Sequence, residues 1–181
     1  MVTTKGGKRS VMTSDNQQET NVLSIDPGRR KLAWALMTNG KLDGAGVIVV
    51  PKTEQRDLSE LIDYFIIELA KELRGKQRCV KSVVERMRVY PGRSKGDVNQ
   101  ILDIQAIGSA VGSKLAVDLE MVYPQQWKRN QSKEVSHPII RSRLDREETE
   151  VLEAALMESG KTYAGDVLDA VGIGLYGLRR Y

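Results

Sequence analysis

A polar stretch, residues 1–20, gives way at Asn21 to short apolar runs separated by turn residues. Residues 22–25 predict a strand that stops at Asp26-Pro27-Gly28, because that tripeptide carries turn chemistry. Residues 31–37 predict a second strand, Asn39-Gly40 a hairpin turn, and residues 45–50 a third strand ended by Pro51. Three strands joined by short turns predict an antiparallel meander. The period then changes. Leu58, Leu61, Ile62, Phe65, Leu69 and Leu73 share one helical face, and Gly75 stops the run. The β-rich segment KSVVE, residues 81–85, follows this helix, so a right-handed crossover should lay it parallel to the first strand. Asp97 is an N-cap signal for a helix over 98–116, and residues 119–122 read as a fifth strand. Pro124 opens a short polar helical turn, Ser132 and Asp145 are further N-cap signals with Pro138 interrupting the segment between them, and residues 166–179 read as a last helix. The pattern predicts an α/β fold with a mixed five-stranded sheet, three antiparallel strands then parallel strands, flanked by helices. Residues 1–20 read as a flexible tail and residues 21–181 as one folded domain.

Composition narrows the class. A chain of 181 residues suits a single domain, and a 40% hydrophobic content with 16 Gly supports a core and excludes global disorder. The single cysteine, Cys79, rules out a disulfide scaffold and suits a reducing compartment, so a cytoplasmic location is expected. No apolar run approaches the roughly 18 residues of a membrane span, and the first residues lack the apolar stretch of a signal peptide. The net charge of +4 permits a nucleic-acid partner without requiring one.

The chemistry concentrates in carboxylates. Asp26 stands where the first strand runs out, Glu85 ends the fourth, and Asp166 and Asp169 lie three apart on one helical face. If the first and fourth strands are neighbours, all four converge at one end of the sheet. Singly, each has a plain structural role as turn former, strand-end charge or N-cap. Together they would repel one another unless cations or raised pKa values intervene. Oxygen ligands with no expected His or Cys point to Mg²⁺, with Mn²⁺ as a substitute, rather than Zn²⁺. Two such ions about 4 Å apart stabilise both the attacking and the leaving oxygen in phosphodiester cleavage.

These residues resemble a known family. SIDPGRRKLAWAL is similar to the first-strand signature of RuvC-type Holliday junction resolvases, which have the RNase H-like fold. The resemblance continues through VVERMRVY, DVNQILDIQAIGSAVGSKL, VYPQQWKRNQSKEV and GDVLDAVGIGLYGL, and covers residues 21–179. It implies a catalytic tetrad of Asp26, Glu85, Asp166 and Asp169 holding two Mg²⁺ ions. The implied enzyme is a homodimeric endonuclease that nicks opposed strands of a four-way DNA junction, leaving 5′-phosphate and 3′-hydroxyl ends. Lys128 and Lys133 match two family lysines that approach the scissile phosphate, and Lys133 joins the tetrad as a catalytic candidate. The polar tail, the acidic DREETEVLE segment and the wording of RMRVYPGRSKG depart from the pattern, and fit a bacteriophage-type relative acting on broader branched DNA. Alternatives are an RNA-directed nuclease like the YqgF-type proteins and a non-catalytic branched-DNA-binding protein.

Basic residues support a DNA partner. Arg86, Arg88, Arg93 and Lys95, with Tyr90 between them, follow Glu85 without an intervening acid, and Trp127, Lys128, Arg129 and Lys133 form a second patch. Ala106, Gly108, Ala110 and Gly112 invite a close contact on helix 98–116, either with the sheet or with a second subunit; the resemblance implies the latter, as the dimer interface. Three patterns carry no function. Gly172-Ile173-Gly174-Leu175-Tyr176-Gly177 spells a dinucleotide motif but lies inside a helix, where its glycines would allow close packing on the sheet. His137 reads as a structural surface residue, and Gly6-Gly7-Lys8 lacks phosphate-loop spacing.

Overall fold

The computed structural model describes residues 21–88 and 97–181. The elements are β1 (Val22–Pro27), β2 (Lys31–Thr38), β3 (Lys41–Val49), α1 (Leu58–Glu72), β4 (Cys79–Glu85), α2 (Val98–Leu115), β5 (Ala116–Val122), α3 (Pro124–Lys128), α4 (Lys133–Ser142) and α5 (Arg146–Gly177). One sheet runs in the order β3-β2-β1-β4-β5. The β1–β2 and β2–β3 pairs are antiparallel, and β1–β4 and β4–β5 are parallel. This is the mixed α/β sheet that the hydrophobic pattern predicts. The tail over residues 1–20 and the loop residues Tyr90, Arg93 and Lys95 lie outside the described residues.

Strand alternation divides the core into two layers. Leu23, Ile25, Trp34, Leu36 and Val84 face α1 and α2, where they meet Phe65, Leu69, Ile107 and Val111. Val22, Ala33, Ala35, Met37 and Val83 face the other way, against Trp127, Ile140 and the α5 residues Val167, Val171 and Ile173. Both faces of the sheet are covered, which is why its central strands read as nearly continuous apolar runs.

Several boundaries differ from the sequence expectation. β1 does not stop before Asp26; it continues through Pro27, which pairs with Leu32, while its ladder to β4 ends at Ile25 opposite Val84. Proline is tolerated there because the ladder to β4 has already ended at Ile25, which leaves that side of β1 an edge. α4 carries Pro138 inside it, with Ser136 and Ile140 buried on either side of the proline. The largest difference is the last helix. It begins at Arg146, behind a capping box between Asp145 and Glu148, and breaks at Gly160, whose φ of 68° and ψ of 170° are open in practice to glycine alone. The acidic segment is thus the first arm of α5, and residues 166–177 belong to its second arm.

Close approach explains the glycines of the false dinucleotide motif. A Cβ on Gly174 would stand 2.5 Å from Met37 Cε and 2.9 Å from Ser24 Oγ, and one on Gly172 would stand 2.6 Å from the Trp127 ring. The helix therefore lies directly on β1 and β2, and Ser24 Oγ donates to the Ala170 carbonyl at 2.7 Å. Gly108 and Gly112 are used in the same manner. Their missing side chains leave room for Pro27, Val84 and Ser82, so the sheet, not a second subunit, accounts for these two glycines.

A buried ion pair fastens the far edge. Glu148 is 1% exposed and receives Arg180 through both oxygens, at 2.6 and 2.7 Å, together with the Leu42 N–H at 2.8 Å. Arg180 also donates to the Gly40 and Arg143 carbonyls, joining the β2–β3 turn, the α4–α5 junction and the end of α5. Arg180→Ala strands a buried carboxylate, and the expected loss is about 3 kcal/mol of unfolding free energy. Urea denaturation checks this value; a loss below about 1 kcal/mol would show that water replaces the guanidinium.

Candidate active site

Parallel pairing of β1 with β4 sets the first two carboxylates side by side. Ile25 lies opposite Val84, so Asp26 and Glu85 are the next residues at the same sheet end. Alternation turns both toward α5, on the face shared by Ser24 and Val83. The second arm of α5 crosses this face and brings Asp166 and Asp169 from one helical side. The four predicted carboxylates therefore meet at one end of the sheet, and their mutual influence falls on Asp26. Burial, then the carboxylates of Glu85, Asp169 and Asp166, hold the Asp26 carboxyl well above its ordinary range, and only Lys133 pulls it back.

Each of the other three has a fixed neighbour. Trp127 Nε1 donates to Glu85 Oε2 at 2.9 Å. Burial pushes the Glu85 carboxyl up, against the downward pull of the Lys128 ammonium and of this N–H. Asp169, 4% exposed, receives Lys133 Nζ on Oδ2 at 2.8 Å and faces His137 Nε2 on Oδ1 at 3.1 Å. Asp166 pairs with Lys31 through Oδ2, and Lys133 Nζ lies 3.9 Å from its other oxygen. Gly165 leaves the Lys133 ammonium its space, since a Cβ there would stand 3.3 Å from Nζ. Burial works against the charge on Lys133, but Asp169, Asp166 and Asp26 outweigh it and raise its proton affinity.

Two sequence readings change here. Trp127 is 0% exposed, so its ring is closed to a nucleic acid; it is a core residue whose polar edge holds Glu85. His137 is not a surface residue apart from the chemistry, because α4 turns it toward Asp169. Its signal was available as the Lys133-to-His137 spacing of four, which places both on one helical face. Lys31 was missed for a different reason: within an alternating strand nothing marks its side chain as reaching α5.

The remaining basic candidates follow β4 and close α3. Arg86 and Arg88 are exposed after β4, their guanidinium carbons 5.3 and 4.6 Å from the Tyr123 ring centroid. With Met87, Ile101, Leu102 and Gln105 they line an open groove of about 450 Å³. The Lys128 ammonium stands 4.8 Å above the Trp127 ring, and exposed Arg129 closes α3 in a left-handed conformation at φ 50°.

A divalent ion suits this donor set in chemistry, since every carboxylate is a hard oxygen donor and Asp26 keeps a raised proton affinity despite the pull of Lys133. Among the described residues, no three acidic, His or Cys side chains already converge as a coordination sphere. The ammonium groups of Lys31 and Lys133 stand against the outer pair instead, so side-chain rotation must accompany loading.

No family model matches the sequence, and no curated protein matches it. Solved structures do. T. thermophilus RuvC in complex with a Holliday junction substrate aligns at TM-score 0.59 and 16% identity, over 88% of this chain and 95% of that chain. The Thermus thermophilus RuvC structure aligns at TM-score 0.59 and 16% identity, over 88% and 96%. The yeast mitochondrial Holliday junction resolvase, Ydc2, aligns at TM-score 0.60 and 16% identity, over 90% and 79%. The class is therefore an α/β protein with the RNase H-like fold. Within that class the fold is the RuvC type, spanning nearly the whole described chain.

The electrostatics give a pH signature. A carboxyl whose folded pKa is raised carries no penalty below its unfolded value near 3.8, and a growing one as the pH climbs toward the folded value. Ion-free protein should therefore lose stability as the pH rises through that window, and Asp26→Asn should remove most of the loss. In chelator, the variant should melt above wild type at about pH 7, with the gap closing below about pH 4. Parallel melting curves across that range would contradict the assigned repulsion.

Proposed function

We propose that this protein is a metal-dependent endonuclease selective for branched DNA, which resolves four-way junctions by paired, symmetric nicks. The observation that carries this reading is the meeting of Asp26, Glu85, Asp166 and Asp169, from three separate elements, around the Lys133 ammonium in a RuvC-type fold. Asp26, Glu85, Asp166 and Asp169 would together hold two Mg²⁺ ions; Mn²⁺ should substitute. Bound there, the ions supply Lewis acidity to the phosphodiester and a lowered pKa to the attacking water.

The chain's own residues supply position and charge. Trp127 keeps Glu85 Oε2 oriented, which fixes one wall of the site with a side chain that is itself immobilised in the core. His137 and Lys133 hold the two oxygens of Asp169, leaving its carboxylate one defined plane. Lys133 brings a positive charge to the scissile phosphate. The water oxygen attacks phosphorus and the bond to the 3′ oxygen breaks, leaving a 3′-hydroxyl and a 5′-phosphate. Arg86, Arg88 and Lys128 beside the carboxylates, with Arg129 at the end of α3, are the proposed phosphate contacts, so binding should weaken with salt because counterion release then contributes less. Tyr90, Arg93 and Lys95, outside the described residues, are proposed as further DNA contacts.

A four-way junction has two-fold symmetry and needs two cuts, which a homodimer supplies. Its proposed interface is α2, where the apolar side chains of Val98 and Leu102 are exposed.

The test is cleavage of a synthetic four-way DNA junction in Mg²⁺, with both cut sites mapped. Wild type should give paired nicks at symmetric positions. Asp26→Asn should reduce the rate by at least about 10²-fold and retain junction binding, because removing a negative charge eases phosphate approach. Preferential cutting of RNA or hybrid duplexes would redirect the proposal to an RNA-directed nuclease. Unchanged cleavage by the variant would sink the site assignment.

A further inference from the structure

Lys31 has no part in the tetrad, yet it is built into the site. It opens β2, opposite Val49, and its side chain leaves the sheet for α5. The turn before it clears the way: a Cβ on Gly28 would stand 2.9 Å from the Lys31 carbonyl oxygen and 3.3 Å from its Cγ. At its far end the ammonium pairs with Asp166 Oδ2 and lies 5.8 Å from the Tyr163 ring centroid. Tyr163 and Asp166 are three apart on α5, so helix geometry presents the ring and the carboxylate as a joint seat for one cation. The Asp166 side chain is 15% exposed, and that of Lys31 42%. The amine thus has water on one side and a departure path.

The distribution of partners is uneven. Asp166 and Asp169 each have an ammonium within ion-pair distance. Among the described residues Asp26 has none, and Glu85 is held by an indole N–H. The inner pair, Asp26 and Glu85 on the strands, is open to an added cation, whereas the outer pair, Asp166 and Asp169 on α5, already has tethered ones. Lys133 divides itself between Asp166 and Asp169; Lys31 serves Asp166 alone.

We propose that Lys31 is a tethered counter-ion for Asp166, which a divalent cation must displace, so that this lysine sets the concentration at which the Asp166 side of the site loads. The inference rests on the metal-dependent reading of the cluster. Displacement leaves Lys31 over the Tyr163 ring, from which it can return when the ion leaves. Two consequences follow. Ion-free protein is protected from the repulsion of its outer carboxylates, and loading becomes ordered, inner pair first.

The test is ion binding, not cleavage. Mg²⁺ is titrated by calorimetry, at fixed ionic strength, into wild type, Lys31→Met and Lys31→Arg, with thermal melting in chelator and in Mg²⁺ alongside. Lys31→Gln serves as a second neutral variant should the methionine protein fail to fold. The neutral variants should bind Mg²⁺ roughly threefold or more tightly, melt lower than wild type in chelator, and regain more on adding Mg²⁺. Lys31→Arg should stay near wild type. Lys161→Met, which removes an exposed charge from α5 outside the cluster, controls for simple loss of positive potential. Equal Mg²⁺ affinity in wild type and the neutral variants, or an equal gain in Lys161→Met, overturns the counter-ion role while leaving the nuclease reading intact. Absence of Mg²⁺ and Mn²⁺ binding in every protein overturns the metal-dependent reading itself.

Discussion

Mutual repulsion among Asp26, Glu85, Asp166 and Asp169 is the constraint around which the rest of this structure is arranged. Four carboxylates cannot share one crevice as free anions, because each raises the cost of ionising the next. Burial first, and then the charges of Glu85, Asp169 and Asp166, raise the proton affinity of Asp26. The neighbouring groups answer the repulsion in different ways: an indole N–H at Glu85, two ammonium groups at Asp166, and an ammonium with an imidazole at Asp169. None of these partners comes from the strand or helix that carries its carboxylate. The site is a tertiary construction, and each layer of the fold contributes to its neutralisation.

Holding such a cluster requires rigid supports. Glu85 depends on Trp127, and Trp127 depends on Gly172, since any side chain at that α5 position would run into the indole. The same helix carries Asp169 three residues earlier, so the position of Trp127 and that of Asp169 are set by one packed surface. Gly174 extends this surface onto β1 and β2 by meeting Ser24 and Met37. The distance between the sheet carboxylates and the helix carboxylates is therefore governed by glycine contacts rather than by the charges. Packing, at interior density, fixes what repulsion would otherwise spread apart. The break at Gly160 separates this arm from the acidic arm fastened by Glu148 and Arg180, and lets each half of α5 follow its own packing partner.

Much of the architecture was legible because apolar period and turn chemistry act locally. The meander, the crossover to β4 and the face of α1 follow from residues within a few positions of one another. The convergence of Asp26 and Glu85 was legible once two strands ending in charge were read as parallel neighbours. The side-chain partners were not. Trp127 before Lys128 and Arg129 reads as a ring for nucleic acid, yet 0% exposure makes it core; nothing local says which side of a five-residue helix will be covered. His137 beside Pro138 reads as irregular surface, and only the packing of α4 on α5 turns it inward. Gly108 and Gly112 carry a signal for close approach that is correct in kind and silent about the partner, because a sheet and a second helix demand the same absence of a side chain. The start of α5 was hidden by polarity: a capping box precedes an arm on which Glu148, Leu152 and Ala155 are its buried residues.

The modest net charge of +4 takes on a different meaning once it is divided in space. Four negative groups form the floor of the site, while Arg86, Arg88 and Lys128 form a basic rim beside Glu85, and Lys31 and Lys133 reach Asp166 and Asp169. A polyanion approaching this face meets opposed fields at short range, attractive at the rim and repulsive at the floor, and at a Debye length of about 8 Å the two are only partly screened from one another. Divalent cations at the floor would reverse the repulsive part and leave the rim unopposed. Metal loading and nucleic-acid binding would then be linked through the field alone, each favouring the other without any conformational change. In such an arrangement the lysines facing Asp166 and Asp169 do more than satisfy carboxylates. They keep the floor partly neutral before an ion arrives, and so set how strongly the two binding events depend on each other.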